Sequence, residues 1–270
     1  MHLLKGFGDE WKGLDGLPLP PVRLSILQSL LVQTFGTDIE VKFHSRFQSK
    51  KNVVIRLTML SGGEKAEQPL VAKMFIADTY DKEVNMLRLC TRGHVRVPDV
   101  FAARDGVILM EYVPGENLVD SLNRTFSKRT VELIANWYHG FHVLTQSVKG
   151  DSILRNFISA KEGLVGLDFE EAGPGPWVKD IGGICASILD TRPVFDARKQ
   201  ALAWHLLETY LHLRGISTSR ETERMFTDEI ADALGRTADR RRDPELLKLS
   251  QKVRDSGIPR GRAKNQTGQA

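Results

Sequence analysis

The chain has 270 residues, of which 41% are hydrophobic and 27% are charged, and its formal net charge is +4. This length and composition are typical of a globular protein that buries a large core. Charged residues interrupt every apolar run before it reaches the length of a membrane span, and the N-terminus lacks a signal-peptide core, so we expect a cytoplasmic protein. Cys90 and Cys185 lie in apolar helical patterns, so we expect both to be buried free thiols.

Residues 1–37 are interpreted as an N-terminal extension. A proline-rich bend at Leu17–Pro21 is followed by a predicted helix over Val22–Phe35. The apolar residues at helical spacing in this segment are Leu24, Leu27, Leu31 and Phe35. This face predicts packing against the β-rich segment that follows.

A lysine lies in the middle of the next apolar run. Pro69–Phe75 favours a β-strand, bounded upstream by the turn-rich residues 61–64. A lysine inside such a strand is costly unless it has an anionic partner. Lys73 therefore either faces water on an edge strand or binds phosphate, in which case Glu83 on the amphipathic helix Tyr80–Leu89 is its natural partner.

Two carboxylates and an amide follow in the second half of the chain. Asp151 precedes Asn156 by five positions, and Asp168 stands at the end of a short apolar run. Phosphoryl transfer from ATP needs this set, because one Asp orients the acceptor hydroxyl while an Asn and a second Asp hold Mg²⁺. The spacing alone carries little information, since a surface turn and a strand-end Asp give the same letters.

A buried strand that ends in a Pro-Gly turn supplies a further motif. Its residues Met110–Val113 resemble the hinge of the protein-kinase-like superfamily. The resemblance implies that the Glu111 carbonyl and the Val113 amide bind the adenine edge, and that Glu116 is a candidate for the ribose hydroxyls.

The resemblance covers roughly Glu40 to Leu189, and its motifs occur in the family order. The last of them is Asp180, which in this superfamily opens a buried helix and braces the catalytic loop through backbone amides. Six weak motifs in the right order are hard to explain by coincidence. The implied fold is α+β and bilobal, with a small antiparallel β lobe and a mostly helical large lobe.

The loop sequence narrows the subclass. Lys149-Gly150-Asp151 resembles the His-Gly-Asp of aminoglycoside and choline kinase-like phosphotransferases more than the His-Arg-Asp of protein kinases. Only twelve positions separate Asp168 from Asp180, which leaves no room for a long activation segment that phosphorylation orders. Small atypical kinases of archaea and of RNA metabolism are similarly compact.

Three positions depart from the family pattern. Lys149 replaces a histidine and either adds positive charge near the phosphates or is an exposed lysine. The phosphate-covering loop, Phe43–Asn52, has no glycine, so it is either loose or binds phosphate through side chains. The candidate side chains are Ser45, Ser49, Lys50 and Lys51. Glu170, with Glu171 after it, replaces a glycine and either contacts metal or substrate or is an exposed capping acid.

The predicted domains are a small lobe at 38–112, a large lobe at 113–236 completed by two helices after residue 194, and a basic tail at 237–270. The tail has nine basic and four acidic residues, a net charge of +5. Pro244–Val253 predicts a short helix, and the remainder has a disordered composition. The tail either contacts RNA phosphates or is a solvated segment.

The expected activity is ATP- and Mg²⁺-dependent transfer of the γ-phosphoryl group to an alcohol. The implied catalytic residues are Lys73, Asp151, Asn156 and Asp168, of which Asn156 and Asp168 hold the metal and Lys73, supported by Glu83, binds the phosphates. A small-molecule acceptor is favoured by the Gly-Asp loop and the short connection to Asp180. RNA or a protein is the alternative acceptor, and a non-catalytic nucleotide-binding scaffold is the alternative class.

Overall fold

The computed structural model describes residues 11–61, 67–77 and 80–260. They form two compact units. The first contains the described residues up to Pro114 together with Asp168–Glu170, and the second contains Gly115–Leu167 and the described residues from Glu171 onward. The first unit thus includes the N-terminal helix and the segment with Asp168, in addition to the predicted small lobe.

The first unit is a five-stranded sheet with two helices, and neighbouring strands are antiparallel in the order β1-β2-β3-β5-β4. Its elements are α1 (Val22–Phe35), β1 (Ile39–Phe47), β2 (Asn52–Ser61), β3 (Glu67–Phe75), α2 (Tyr80–Arg92), β4 (Val100–Arg104) and β5 (Val107–Glu111). The order places β3 inside the sheet, between β2 and β5, so its backbone is paired on both sides.

The predicted phosphate-covering loop is shorter than Phe43–Asn52. Phe43–Phe47 belongs to β1 and Asn52 begins β2, which leaves only Gln48–Lys51 as the connection. The polar residues of this stretch are typical of a loop. Pairing with β2, however, satisfies the hydrogen-bonding needs of their backbone groups and extends strand β1. The N-terminal segment contacts the connection, where Leu14 N donates to Ser49 O at 3.4 Å and Asp15 N donates to Lys50 O at 3.2 Å.

Helix α1 has the bounds that its leucine spacing predicts, and it packs on the sheet. Leu27 and Leu31 are fully buried in one cluster with residues of β2, β3 and β5. Arg23 at the start of the helix is also buried, and its Nε donates to Phe75 O at 3.0 Å. Apolar packing and this charge-assisted hydrogen bond together fix the helix on the sheet.

The second unit is mostly helical. Its elements are β6 (Glu116–Asn117), α3 (Leu118–Thr125), α4 (Lys128–Thr145), a 3₁₀ turn (Leu154–Asn156), β7 (Phe157–Ala160), β8 (Gly163–Gly166), α5 (Val178–Asp190), α6 (Ala197–Arg214), α7 (Arg220–Arg241) and α8 (Pro244–Ser256). The three strands form one antiparallel sheet in the order β6-β7-β8. No helix of the described residues has both the length and the apolar character needed to cross a membrane.

The basic segment from residue 237 onward is folded as far as residue 260. It begins inside α7, and α8 packs beside that helix through Leu246 and Val253, which are buried. Asp243 caps α8 by accepting hydrogen bonds from Glu245 N and Leu246 N. The short helix predicted over Pro244–Val253 is present as part of α8, and residues 261–270, which include the end of the segment predicted to be disordered, lie outside the described part of the chain.

Truncating Leu27 tests the packing of α1. Leu27→Ala removes a fully buried side chain and leaves a cavity, so we expect the free energy of unfolding to fall by about 3 kcal/mol. Urea denaturation measures the change. Val22→Ala on the same helix is the control, because Val22 is 54% exposed and its truncation is expected to cost less than about 0.5 kcal/mol. Equal losses in the two variants would contradict the packing of α1.

Candidate active site

A buried ion pair joins β3 to α2 in the first unit. Lys73 Nζ lies 2.6 Å from Glu83 Oε2, and the two residues are 5% and 2% exposed. Since β3 lies inside the sheet, the edge-strand interpretation of Lys73 is wrong. Helix α2 places Glu83 among its buried residues, one turn from its start. The pairing expected from the cost of burying a lysine is therefore present.

Two further carboxylates contact the same ammonium group. Lys73 Nζ lies 3.0 Å from Asp168 Oδ1 and 2.8 Å from Glu170 Oε1. A lysine ammonium group has three N–H donors, so there is one carboxylate partner for each donor of Lys73. Burial lowers the pKa of Lys73, but Glu83, Asp168 and Glu170 outweigh it and raise the pKa above its ordinary value. Lys73 is therefore a fixed positive charge.

Asp168 and Glu170 lie on a short, constrained segment. Asp168 has φ of 61°, a left-handed conformation that a non-glycine residue adopts at a cost and that is common at functional sites. Asn52, at the start of β2, donates to the Glu170 carboxylate, whose side chain is 20% exposed. Glu170 is thus a partner of Lys73 and not an exposed capping acid, whereas Glu171 is exposed.

The first unit also contains an arrangement that suits a divalent cation. Carboxylate oxygens of Glu83, Asp168 and Glu170 lie within 4.8 Å of one another. Carboxylate oxygen is the ligand that Mg²⁺ and Ca²⁺ prefer. Asn156, the other predicted metal ligand, belongs to the second unit.

The residues expected to bind the base and the ribose fall at the end of β5 and in β6. The Glu111 amide donates to Asp99 O at 2.9 Å, so it is already used. Val113 is buried just after the strand end. Glu116 belongs to the second unit, where its carboxylate pairs with Arg124. The assignments of these residues to adenine and ribose stay predictions.

In the second unit the loop before the 3₁₀ turn brings Asp151 and Asn156 together. Asn156 Nδ2 donates to Asp151 Oδ2 at 2.9 Å and to Asp151 O at 3.1 Å. Gly150 has φ of 89°, and a Cβ there would lie 2.5 Å from the carbonyl oxygen of Glu171. The loop conformation therefore requires a glycine before Asp151.

Asp180, near the start of α5, braces this loop. Its Oδ2 accepts from Lys149 N at 2.6 Å, and its Oδ1 accepts from Gly150 N at 3.0 Å and from the Ser152 hydroxyl. The carboxylate is completely buried. These contacts are those that the family resemblance implies for Asp180. Ser152 was not singled out in the sequence, although a hydroxyl beside the Gly-Asp pair is a reasonable signal for such a contact.

His142 on α4 completes the bracing. Its Nε2 lies 2.8 Å from Asp180 Oδ2, and its Nδ1 lies 2.8 Å from the Tyr210 hydroxyl of α6. The sequence did not identify this polar role, because α4, α5 and α6 meet only in the folded protein. The Asp180 carboxylate therefore connects three helices to the loop that holds Asp151.

Lys149 is completely buried in the second unit, so its interpretation as an exposed lysine is wrong. Its Nζ donates to Asp151 O at 3.1 Å and lies 5.7 Å from the ring centroid of Phe157. The lysine that replaces the family histidine thus orders the backbone at Asp151.

Solved structures show which fold this is. Choline kinase from Cryptosporidium parvum is 11% identical, with a TM-score of 0.57 over 87% of this chain and 97% of that chain. APH(2")-IIa, an aminoglycoside phosphotransferase solved with gentamicin, is 14% identical, with a TM-score of 0.56 over 86% of this chain and 96% of that chain. The protein has the protein-kinase-like fold. No protein-family model and no curated protein matches the sequence, so the likeness is one of fold.

Asp180 is expected to make the stability of this kinase-like fold depend on pH. Burial raises the pKa of its carboxyl, but hydrogen bonds from His142, Ser152 and Lys149 N outweigh burial and lower the pKa below its ordinary value of 3.8. A carboxyl with a lowered folded pKa stabilises the protein above pH 3.8, and that contribution is lost as the pH falls through the folded pKa.

Asp180→Asn should therefore cost about 3 kcal/mol of unfolding free energy at pH 7, because an amide nitrogen replaces a buried acceptor. The deficit relative to wild type should shrink as the pH falls below about 3.8. Urea denaturation across this range measures it. Asp228→Asn, at a surface position of α7 paired with Arg224, is the control. A deficit that stays constant from pH 7 into acid would contradict the assignment.

Proposed function

We propose that the protein is a phosphotransferase that uses ATP and Mg²⁺ to phosphorylate an alcohol. The observation that carries this proposal is the charged Lys73, buried against Glu83 beside Asp168. Phosphoryl transfer depends mainly on positioning and on stabilising negative charge, and a fixed buried cation supplies the second. The fold supports the proposal, because APH(2")-IIa was solved with ATP and streptomycin and amicoumacin kinase with AMP-PNP and Ca²⁺.

The nucleotide is bound as follows. Lys73, held by Glu83, binds the α- and β-phosphates, and the adenine edge meets the Glu111 carbonyl and the Val113 amide, with Glu116 on the ribose. Asp168 and the side-chain oxygen of Asn156, whose amide nitrogen is already used on Asp151, would hold Mg²⁺. The metal would supply positive charge that offsets the negative charge of the transferred phosphoryl group.

Asp151 orients the acceptor. Asn156 holds its Oδ2, which leaves Oδ1 to accept the hydrogen bond of the substrate hydroxyl. Asp180 and Lys149 fix the backbone on either side, so the carboxylate needs little reorganisation during the reaction. The hydroxyl oxygen attacks the γ-phosphorus in line, and its proton passes to Asp151. The bond between the γ-phosphorus and the β,γ-bridging oxygen breaks, and ADP leaves.

A small-molecule alcohol is the proposed acceptor. The short connection between Asp168 and Asp180 leaves no protein-docking segment. The structural neighbours include choline, ethanolamine and amicoumacin kinases, which supports the same class. An RNA acceptor has less support, because basic residues of the 237–260 segment have internal carboxylate partners. The pairs are Arg241–Asp190, Lys248–Glu245, Arg254–Asp232 and Arg260–Glu223.

Transfer of labelled γ-phosphate tests the function. The protein is incubated with Mg²⁺ and labelled ATP, with a pooled metabolite extract and with bulk tRNA in separate reactions. We expect the label to appear in a metabolite of the pooled extract. Label in tRNA would make RNA, and not a small molecule, the acceptor. If neither reaction gives label that is lost when Asp151 is replaced, the result would support the non-catalytic scaffold.

Replacing Asp151 separates chemistry from binding. Asp151→Ala is expected to lower kcat by about 10²–10⁴-fold, the usual contribution of a general acid–base group. The affinity for ATP should change little, because Asp151 contacts the acceptor. Single-turnover rates and calorimetric titration with ATP measure the two quantities. Asp228→Ala on α7 is the matched surface control, and full activity of Asp151→Ala would refute the role.

Replacing Asp168 tests the metal site. Asp168→Ala removes a proposed Mg²⁺ ligand, so we expect nucleotide binding to lose its dependence on Mg²⁺. Titration with ATP in the presence of Mg²⁺ and then of EDTA measures this dependence. Asp99→Ala, which removes a surface carboxylate of the same unit, should keep it. Unchanged Mg²⁺ dependence in Asp168→Ala would contradict the assignment.

A further inference from the structure

The register of the first sheet places an arginine on the same face as Lys73, two positions along the strands. Side chains alternate between the faces of a strand, so positions two apart share a face. Lys73 and Val71 therefore share a face of β3, and the residue opposite Val71 on β2 is Arg56. On β5 the residue opposite Val71 is Met110. Arg56, Val71 and Met110 thus form a row about 7 Å along the strands from Lys73.

The arginine of this row lies against the hinge. The Cζ atom of Arg56 is 3.9 Å from the ring centroid of Tyr112, which stands between the two residues proposed to bind the adenine edge. Arg56 Nε is buried and has no hydrogen-bond partner among the described residues. A buried donor without an acceptor is uncommon in folded proteins and needs an acceptor from outside the described residues, such as a water molecule.

We propose that Arg56 is a base-contacting residue, whose guanidinium group stacks on the nucleotide base. This inference rests on the proposed function. A guanidinium group is planar, has five N–H donors and stacks on aromatic faces, as it does on Tyr112. A purine presents such a face.

The proposal makes a specific division of binding energy. Lys73 binds the phosphates, while Arg56, in the neighbouring row of the sheet, stacks on the base. A stacked cation is tolerant of base identity, since every base has a π face. Removing Arg56 should therefore weaken the binding of any purine triphosphate while leaving a triphosphate without a base unaffected.

Calorimetric titration tests this division. The ligands are Mg·ATP, Mg·GTP and inorganic tripolyphosphate with Mg²⁺. The variants are Arg56→Ala, Arg56→Lys and Arg104→Ala. Arg104 is a control in the same sheet, because its Nη1 donates to Gln33 on α1 and removing it deletes the same charge elsewhere. Thermal unfolding of each variant confirms that it is folded.

We expect Arg56→Ala to weaken both nucleotides by about tenfold, within the range for loss of one stacking contact, and to leave tripolyphosphate binding unchanged. Arg56→Lys should also lose nucleotide affinity, because a lysine keeps the charge without the planar group. Wild-type affinity for ATP in Arg56→Ala, or an equal loss for tripolyphosphate, would overturn the role of Arg56 and leave the proposed function standing. A wild-type protein that binds neither ATP nor tripolyphosphate would overturn both.

Discussion

A buried ammonium group is the constraint on which the first unit depends. Moving a lysine out of water costs several kcal/mol, and only closely placed carboxylates offset that cost. Lys73 obtains them from two stretches of chain, the nearby helix α2 and the distant segment Asp168–Glu170. This explains why three residues from the second half of the sequence belong to the first unit. The ion cluster closes a loop of about one hundred residues, together with Phe169, whose side chain is completely buried.

The charge balance of this cluster connects it to the proposed chemistry. One ammonium group faces three carboxylates, so the ionised cluster is negative and repels a bare triphosphate. A divalent cation reverses that repulsion. Glu170 is the carboxylate best able to leave Lys73 to a phosphate, because it is more exposed than Glu83 and, unlike Asp168, is not one of the two Mg²⁺ ligands in the proposed mechanism.

The sequence predicted the parts that depend on local pattern or on the cost of burial. Leucine spacing defines α1, and an uncompensated buried lysine is so unfavourable that Glu83 follows from Lys73. The sequence analysis did not predict features that depend on hydrogen bonding between neighbouring strands. Residues 43–47 carry a polar, loop-like pattern, yet β2 supplies their hydrogen bonds. The contact between Arg56 and Tyr112 depends on strand register, which no local pattern encodes.

The departures from the family pattern do not by themselves indicate a degenerate kinase. Lys149 occupies the histidine position, but its buried ammonium group binds the Asp151 carbonyl and so orders the loop. Glu170 occupies the glycine position and adds a charge to the Lys73 cluster. Asp180 keeps both carboxylate oxygens saturated by donors from the loop and from α4. In the proposed mechanism Asp151 contacts the acceptor, and it also holds Asn156, a proposed Mg²⁺ ligand. The buried bracing of the Asp151 loop therefore positions both groups that the proposed transfer needs.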